Sequence, residues 1–177
     1  MSEGSCPVQI AELVEQFAEL LYRYAYRLTG NAVDAEDLTQ QTFLTAQQKC
    51  DQLRDCNAAK GWLCSILRNA FLTTRRQRGR TQPLEGVVDS LSLQDPPDSL
   101  VDPDELQRAL MELPEEHRSP LILFYFEEFS YQEIAEQMQL PIGTVMSRLS
   151  RAKAFLRRRL SEETEVGGRN HREKVAL

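Results

Sequence analysis

An all-α protein of two small helical domains is the fold class that the sequence predicts, and three observations predict it. Apolar residues recur at helical spacing in successive segments, and no segment alternates convincingly as a half-buried strand does. A stretch rich in proline and acid, residues 81–103, interrupts these segments near the middle of the 177-residue chain. Eleven of the 21 lysine and arginine residues lie in two short stretches, although the net charge of the chain is −6. The pattern indicates two helical units, each with a basic patch.

Three helices account for the first predicted domain, residues 8–80. The first ends where Thr-Gly-Asn, residues 29–31, breaks the apolar pattern. The second runs from about residue 33 to residue 49, and the third begins near Asn57, a residue type favoured at helix N-caps. Their apolar positions include Ile10, Leu13, Val14, Phe17, Leu20, Leu21, Tyr24, Leu28, Leu38, Phe43, Trp62, Leu63, Ile66, Leu67 and Phe71.

A linker is predicted at residues 81–103, which contain four prolines, five acids and no base. Proline supplies no backbone donor and the acids repel one another, so an extended tether is favoured over a helix. These residues span about 75 Å when fully extended. The two domains are therefore expected to be free of one another.

The second predicted domain, residues 104–160, begins with helices near 104–112 and 115–128, and Pro120 lies either inside the latter or at its true start. A helix-turn-helix follows, divided at Leu-Pro-Ile-Gly, residues 140–143. Ser130 and Glu133 have the spacing of a capping box at the start of its first helix. The remaining residues, 161–177, are polar and of mixed charge, and their composition predicts a disordered tail.

The second helix of the helix-turn-helix separates its apolar residues from its basic ones. Val145, Leu149, Ala152 and Leu156 are spaced by four, three and four residues, which predicts a buried stripe. A rotation of 100° per residue puts small and basic residues on the opposite side and two more bases on its flanks. The opposite side holds Ser147, Ser150, Arg151, Ala154 and Arg158, and the flanks hold Arg148 and Lys153. Such a helix suits the major groove of DNA.

Two less specific interpretations of this basic helix remain open at this point. Charged runs are often simply solvated faces, although the twelve residues 148–159 include no acid. Arg148 is a DNA-contact candidate, but an ion pair with Glu133 or Glu116 explains it equally well. A second basic cluster lies at residues 68–80. Outside these two basic stretches, the rest of the chain holds only ten bases against twenty-seven acids. Segregation of this kind is typical of a polyanion partner.

Other function classes receive little support from the sequence. No nucleotide-binding, metalloprotease or hydrolase motif occurs, and two histidines supply a poor acid-base site. The four cysteines form no CxxC pair, so reduced, packed thiols are expected and neither a metal nor a cofactor is predicted. Redox sensing or metal binding by Cys50, Cys56 and Cys64 is the alternative. Without a signal peptide or membrane-length apolar run, a cytoplasmic protein is expected.

Three stretches resemble the extracytoplasmic-function sigma factors of the sigma-70 family. LPEEHRSPLILFYFEEFSYQEIAEQMQLPIGTVMSRLSRAKAFLRRRL resembles their C-terminal DNA-binding domain, region 4. AYRLTGNAVDAEDLTQQTFLTA and GWLCSILRNAFLTTRRQRGR resemble their promoter-melting domain, region 2, in the right order. The resemblance implies a subunit that binds bacterial core RNA polymerase and directs promoter recognition, DNA melting and transcription initiation.

The resemblance also implies which residues make these contacts. AEDLTQQTF matches the helix that docks on polymerase, with Asp37, Gln40, Gln41 and Phe43 as candidates. LRNAFLTTRRQRGR matches the segment that opens the minus-ten element, and its basic and polar side chains suit single-stranded DNA. The candidates there are Asn69, Thr73, Arg75, Arg76, Arg78 and Arg80. Contact with the minus-thirty-five element is implied for Thr144, Met146, Ser147, Arg148, Ser150, Arg151, Lys153, Arg157 and Arg158. Met146, Thr73 and Gln41 depart from the residue types common in the family.

The resemblance implies core RNA polymerase and promoter DNA as partners. Sequestration by an anti-sigma factor is a common mode of control in the family, so such a factor is a further expected partner. Neither membrane insertion nor a small-molecule substrate is expected. Trp62 and Phe71 can stack on bases, but their helical spacing favours core packing. The acidic linker suits the basic polymerase channel through which this family threads its linker. The alternative function is a helix-turn-helix repressor or activator that acts without polymerase docking.

Overall fold

Helices make up the fold, as the periodicity predicts. The computed structural model describes residues 9–53, 55–78 and 102–173, except for the side chains of residue 78 and residues 162–173. The N-terminal domain contains α1 (Ile10–Thr29), α2 (Ala32–Gln48) and α3 (Ala59–Arg78). The C-terminal domain contains α4 (Pro103–Glu112), α5 (Glu115–Tyr125), α6 (Tyr131–Met138) and α7 (Ile142–Glu173). Within these described ranges there is no strand.

Local sequence signals set most helix boundaries in the N-terminal domain. Gly30 ends α1 with a left-handed backbone, φ 69°, and donates its N–H to the carbonyl oxygen of Tyr26. Asn31 then begins α2 by accepting from the N–H groups of Val33 and Asp34. The predicted N-cap at Asn57 is wrong, because Asp55 caps a 3-10 turn at Cys56–Ala58 and α3 begins only at Ala59.

The predicted linker lies outside the described residues apart from its end. Asp102 accepts a hydrogen bond from the backbone of Asp104, and Pro103 occupies the first position of α4, where its missing N–H costs nothing. The C-terminal end also differs from the prediction, because α7 passes residue 160 and reaches Glu173. Residues 161–165 are mostly good helix formers without proline, which lets the helix continue. Disorder of this tail in solution stays a prediction.

Pro120, whose place the sequence left undecided, lies inside α5 and is buried. It removes one backbone hydrogen bond from the helix. The helix nevertheless ends three residues earlier than predicted, at Tyr125. Glu128 then takes a left-handed backbone, φ 57°, and Ser130 begins the next helix.

The two domains are packed against each other, which corrects the expectation that the linker leaves them free. Helix α1 contacts α4 and α5, and α3 contacts α6. The buried apolar side chains form one continuous cluster that includes members of both domains. Phe71 is buried and Trp62 packs against the cluster, so the structure places both in the core, as their spacing favours.

The described cysteines differ in state. Cys50 is exposed and free, Cys64 is buried and free, and Cys56 is disulfide-bonded, so the expectation of reduced cysteines is wrong for Cys56. Burial raises the pKa of Cys64 to about 12, which keeps it an unreactive thiol at neutral pH. None of the described helices combines the length and apolar character needed to span a bilayer.

Candidate nucleic-acid interface

Helix α7 is positioned by the short helix before it. The hydroxyl of Ser130 accepts from the Glu133 N–H, and the Glu133 carboxylate accepts from the Ser130 N–H and hydroxyl, which lowers the pKa of Glu133. This is the predicted capping box. Gln139 reverses the chain with a left-handed backbone, φ 54°, and Leu140 donates its N–H back to Ala135. The turn seats α7 against α5 and α6.

The sides of α7 are oriented as the helical rotation predicts. Val145, Leu149 and Ala152 are buried, and Leu156 is partly buried against the core. On the opposite side Ser147, Arg151 and Arg158 are exposed, and Met146, which lies 100° from Val145, is exposed as well. The half-buried candidates are Thr144, Arg148, Ser150, Lys153 and Arg157, so Ser150 is less open to solvent than its place on the opposite side predicts. The exposed side is thus small and basic, which suits close approach to DNA.

Two arginines of α7 bind carboxylates of the same domain. Arg148, for which the sequence allowed either DNA contact or an ion pair, lies 3.3 Å from a carboxylate oxygen of Glu116. Arg159 lies 3.0 Å from Glu112 in the same way. The pairing with Glu116 rather than Glu133 reflects the commitment of the Glu133 carboxylate to the Ser130 cap. Arg148 is therefore a weaker candidate for DNA contact than Arg151.

On α3 the predicted single-strand contacts divide into two groups. Asn69, Thr73 and Arg76 are all exposed, and their spacing of four and three residues places them in one stripe. Arg75 turns the other way, and its guanidinium lies 5.7 Å from the ring centroid of Phe71. The Arg78 side chain and Arg80 lie outside the described residues.

Three of the four predicted polymerase contacts on α2 share an exposed surface, and the fourth does not. Asp37, Gln40 and Gln41 are exposed, whereas Phe43 is half-buried and packs against the core. Sequence reasoning missed Val33 and Leu44, which are 66% and 60% exposed. A rotation of 100° per residue puts both within the arc of about 100° that holds the three polar residues. That spacing was the signal available in the sequence, and these five residues are called the α2 face below.

A cleft of about 340 Å³ opens between the domains beside the α2 face. Asp37 and Gln41 line it from α2, Arg75 from α3, and Met111 and Arg118 from the C-terminal domain. Arg118 is 3% exposed, and burial lowers its pKa to about 10. One of its terminal nitrogens donates to the carbonyl oxygens of Leu110 and Met111, each at 3.4 Å. The cation thus stabilises the C-terminus of α4.

A second buried ionisable group, Glu127, lies where the domains meet. It is 2% exposed, and burial raises its pKa to about 7 despite the nearby cations of Arg23, Lys60 and Arg27. Neither carboxylate oxygen has a hydrogen-bond partner within the described protein. A buried polar group in this situation costs about 1–3 kcal/mol. The boundary between the domains therefore holds an unfavourable charge.

Family comparisons agree with this arrangement of sites. The family described as "Sigma-70 region 2" matches residues 13–81, and that described as "Sigma-70, region 4" matches residues 104–156. The ECF RNA polymerase sigma factor SigL of Mycobacterium tuberculosis is 35% identical over 156 residues, which cover 85% of this chain and 88% of the relative. The chain belongs to the extracytoplasmic-function sigma factors. An alternative sigma factor, which directs promoter recognition with RNA polymerase, is therefore its function class.

Two further comparisons give the extent of the likeness to other sigma factors. The ECF sigma factor SigE of Mycolicibacterium smegmatis is 38% identical over 160 residues; the match covers 86% of this chain and 62% of that relative's length. The sigma factor RpoE, in the co-crystal structure of its complex with the anti-sigma factor NepR from Bartonella quintana, has a TM-score of 0.70 and 29% identity. That likeness covers 85% of this chain and 96% of RpoE.

Proposed function

We propose that this sigma factor binds core RNA polymerase through the α2 face, reads the minus-thirty-five element with α7, and holds the melted minus-ten element with α3. The observation that carries the proposal is the exposed side of α7, where small and basic residues lie opposite a buried apolar stripe. A helix in this setting presents Arg151 to a groove without moving any core residue. The sigma factor acts by binding polymerase and promoter DNA rather than by catalysing a reaction, and it does so in the cytoplasm.

The α2 face supports the polymerase contact. Two large aliphatic side chains, Val33 and Leu44, stay in solvent on either side of Asp37 and Gln41. Protein interfaces combine apolar residues, whose burial supplies affinity, with polar groups that fix orientation, and the α2 face offers both. Phe43 contributes by packing beneath this face rather than by direct contact.

An anti-sigma factor is the further partner that we propose. RpoE, to which this chain is similar, was solved in complex with the anti-sigma factor NepR. The cleft between the domains, with apolar, acidic and basic walls, is a suitable place for part of such a partner.

The proposal is tested by binding to bacterial core RNA polymerase. Asp37→Ala combined with Leu44→Ala is expected to weaken binding at least tenfold, because both the charge and the exposed apolar area of the face are removed. A matched control is Glu12→Ala combined with Val14→Ala on α1, which also removes one acid and one exposed aliphatic side chain. The control is expected to bind as the wild type does.

Each result has a definite meaning. Equal loss in both double variants contradicts the location of the docking face. No binding by the folded wild type contradicts the proposed function and favours the repressor or activator that acts without polymerase.

A further inference from the structure

The cleft of about 340 Å³ has both apolar and charged walls. Two cations, Arg75 and Arg118, line it. Sites for small ligands are concave and mostly apolar, contain a few polar groups that orient the ligand, and have volumes of about 300–1,000 Å³. The size and composition of the cleft therefore suit a small organic molecule. Its apolar lining takes one side chain from each of α1 to α4, namely Leu28, Leu38, Phe71 and Met111.

Arg118 has an unpaired donor on one edge of its guanidinium group. The hydrogen bonds that it makes within the described residues come from Nη1, which donates to the carbonyl oxygens of Leu110 and Met111 and to the Met111 sulfur, at 3.4, 3.4 and 3.3 Å. The Nε atom is buried and has no hydrogen-bond partner there. Nε and Nη2 form the other edge of the planar group, whose two parallel N–H bonds match the two oxygens of a carboxylate.

The carboxylate that lies near Arg118 is committed to other groups. Among the described residues, Glu115 is the acid whose charge acts on Arg118. Its Oε1 atom lies 3.4 Å from Nη2 of Arg68 and accepts a hydrogen bond from the Ser119 hydroxyl at 2.7 Å. In the part of the chain that the structure describes, no carboxylate forms an ion pair with Arg118. A buried cation without a paired anion is costly, because it has lost its hydration.

Arg75 places a second positive charge beside the same cleft. The sequence predicted a DNA contact for this residue, but its guanidinium turns away from the exposed stripe of α3 and lies 5.7 Å from the ring centroid of Phe71. Burial, and then the charge of Arg75, lower the pKa of Arg118 to about 10, so Arg118 is still charged at neutral pH. Two like charges beside one cleft repel each other, and a bound anion would relieve that repulsion.

Two acids limit how much negative charge a ligand can carry. Asp34 and Asp37 of α2 line the cleft together with Arg75 and Arg118, so two acids stand against two bases. A polyphosphate or a dicarboxylate would bring surplus negative charge close to these acids. A single carboxylate on an apolar body satisfies the arginines and the apolar lining without that surplus.

We propose that the cleft is a binding site for a small monocarboxylate, whose carboxylate group is held by Arg75 and Arg118 and whose apolar body packs against the apolar lining. A free small molecule fits better than a protein segment, because a stable protein interface covers about 800 Å² on each partner and a cleft of this volume admits only a few side chains. The inference is independent of the polymerase and DNA contacts proposed above.

Benzoate and benzamide are the probes, because they have nearly the same shape and differ in charge. Binding to the isotope-labelled full chain at pH 7 is followed by NMR titration, including the side-chain Nε–H signals of the arginines. Benzoate is expected to shift the Arg118 Nε–H signal and to bind about tenfold or more tightly than benzamide, since hydrogen bonds to charged groups are the stronger ones. Inorganic phosphate, which has no apolar body, is expected to bind more weakly than benzoate.

Arg75→Gln tests the second cation. It removes one charge from a half-buried side chain and is expected to weaken benzoate binding about tenfold while leaving benzamide binding unchanged. The matched control is Arg108→Gln, which removes the same charge from an exposed position of α4 outside the cleft and should bind benzoate as the wild type does. Arg118→Lys keeps the charge but loses the paired N–H edge, so it should also bind benzoate more weakly if circular dichroism shows that it is folded.

Several results would overturn the inference. Equal binding of benzoate and benzamide would show that the arginines do not hold the carboxylate. Phosphate binding as tightly as benzoate would exclude a site built for an apolar monocarboxylate. Equal losses in the Arg75 and Arg108 variants would reduce the effect to long-range charge. If neither benzoate nor hexanoate binds the folded wild type, the cleft is not a carboxylate site.

Discussion

Arg151 is the side chain on which promoter recognition by α7 most depends. It is exposed in the middle of the basic side, opposite Val145 and Leu149, and the structure gives it no ion pair among the described residues. Arginine can donate two parallel hydrogen bonds to a guanine edge or bind phosphate. These properties make Arg151 a better probe of DNA contact than Arg148, which is already paired with Glu116.

Arg151→Ala is expected to weaken binding of the reconstituted holoenzyme to promoters by about 1–3 kcal/mol, or roughly 5- to 150-fold, if the arginine contacts a base. The effect should disappear on templates whose minus-thirty-five element has been replaced. Arg108→Ala, which removes an exposed arginine of α4 in the same domain, is the control. Unchanged affinity and unchanged promoter preference for Arg151→Ala would mean that the proposed orientation of α7 on DNA is wrong.

At individual positions the sequence left choices that only packing could make. The apolar pattern of α2 gives no means of telling that Phe43 turns toward the core while its neighbour Leu44 stays exposed. Adjacent residues of a helix lie 100° apart, so the outcome depends on where α1 and α3 cover α2. The same holds for Arg148, whose partner comes from α5, 32 residues earlier in the chain.

Among the helices, α6 depends most on its cap. It has only eight residues, which is too few to be stable by itself, and it must hold the turn that aims α7. The Ser130–Glu133 capping box satisfies donors at its N-terminus, while Ile134, Ala135 and Met138 anchor its apolar side. Local sequence predicted all of these features because each depends on residues within one or two turns.

Ser130→Ala is expected to lower the free energy of unfolding of the full chain by about 1 kcal/mol, measured by urea denaturation, because the Glu133 N–H loses its acceptor. Gln132→Ala on the exposed side of α6 is the control and should change stability by no more than about 0.5 kcal/mol. Equal effects of the two substitutions would contradict a specific role for the cap.

At the scale of the whole molecule, closure of the two domains is expected to depend on pH through Glu127. The groups near its carboxyl group are Arg23, Arg27 and Lys60 of the N-terminal domain and Glu128 beside it. While the domains are packed together, in the closed form, burial raises the pKa of Glu127 from the ordinary 4.5 to about 7. The closed form therefore holds a proton that is released when the domains separate into the open form. Below about pH 4.5 both forms are protonated, and above about pH 7 neither is.

The equilibrium constant for closure should therefore fall as pH rises from about 4.5 to 7, by at most about tenfold per pH unit, and stay level above that range. Scattering measured between pH 5 and pH 8 is expected to show this change in the wild type. Glu127→Gln keeps the shape of the side chain without the charge, so it should stay compact to pH 8. If the two proteins share one pH profile, Glu127 is not the group responsible.

The sequence by itself determined the helices, the helix-turn-helix with its cap, the basic side of α7 and the resemblance to sigma factors. Each depends on periodicity or on contacts within a few residues, which the order of amino acids states directly. Only the tertiary structure decided that the domains close on one another, that Glu127 is buried between them, and that Met111 and Arg118 lie opposite Asp37 and Gln41. The acidic linker is compatible with free or packed domains, since chain length limits separation but does not fix contact. Lys60 and Glu127 are 67 positions apart along the chain, and Gln107 and Tyr26 are 81 positions apart. Such residues meet because their shapes and hydrogen-bonding groups fit in three dimensions, and no local pattern encodes that fit.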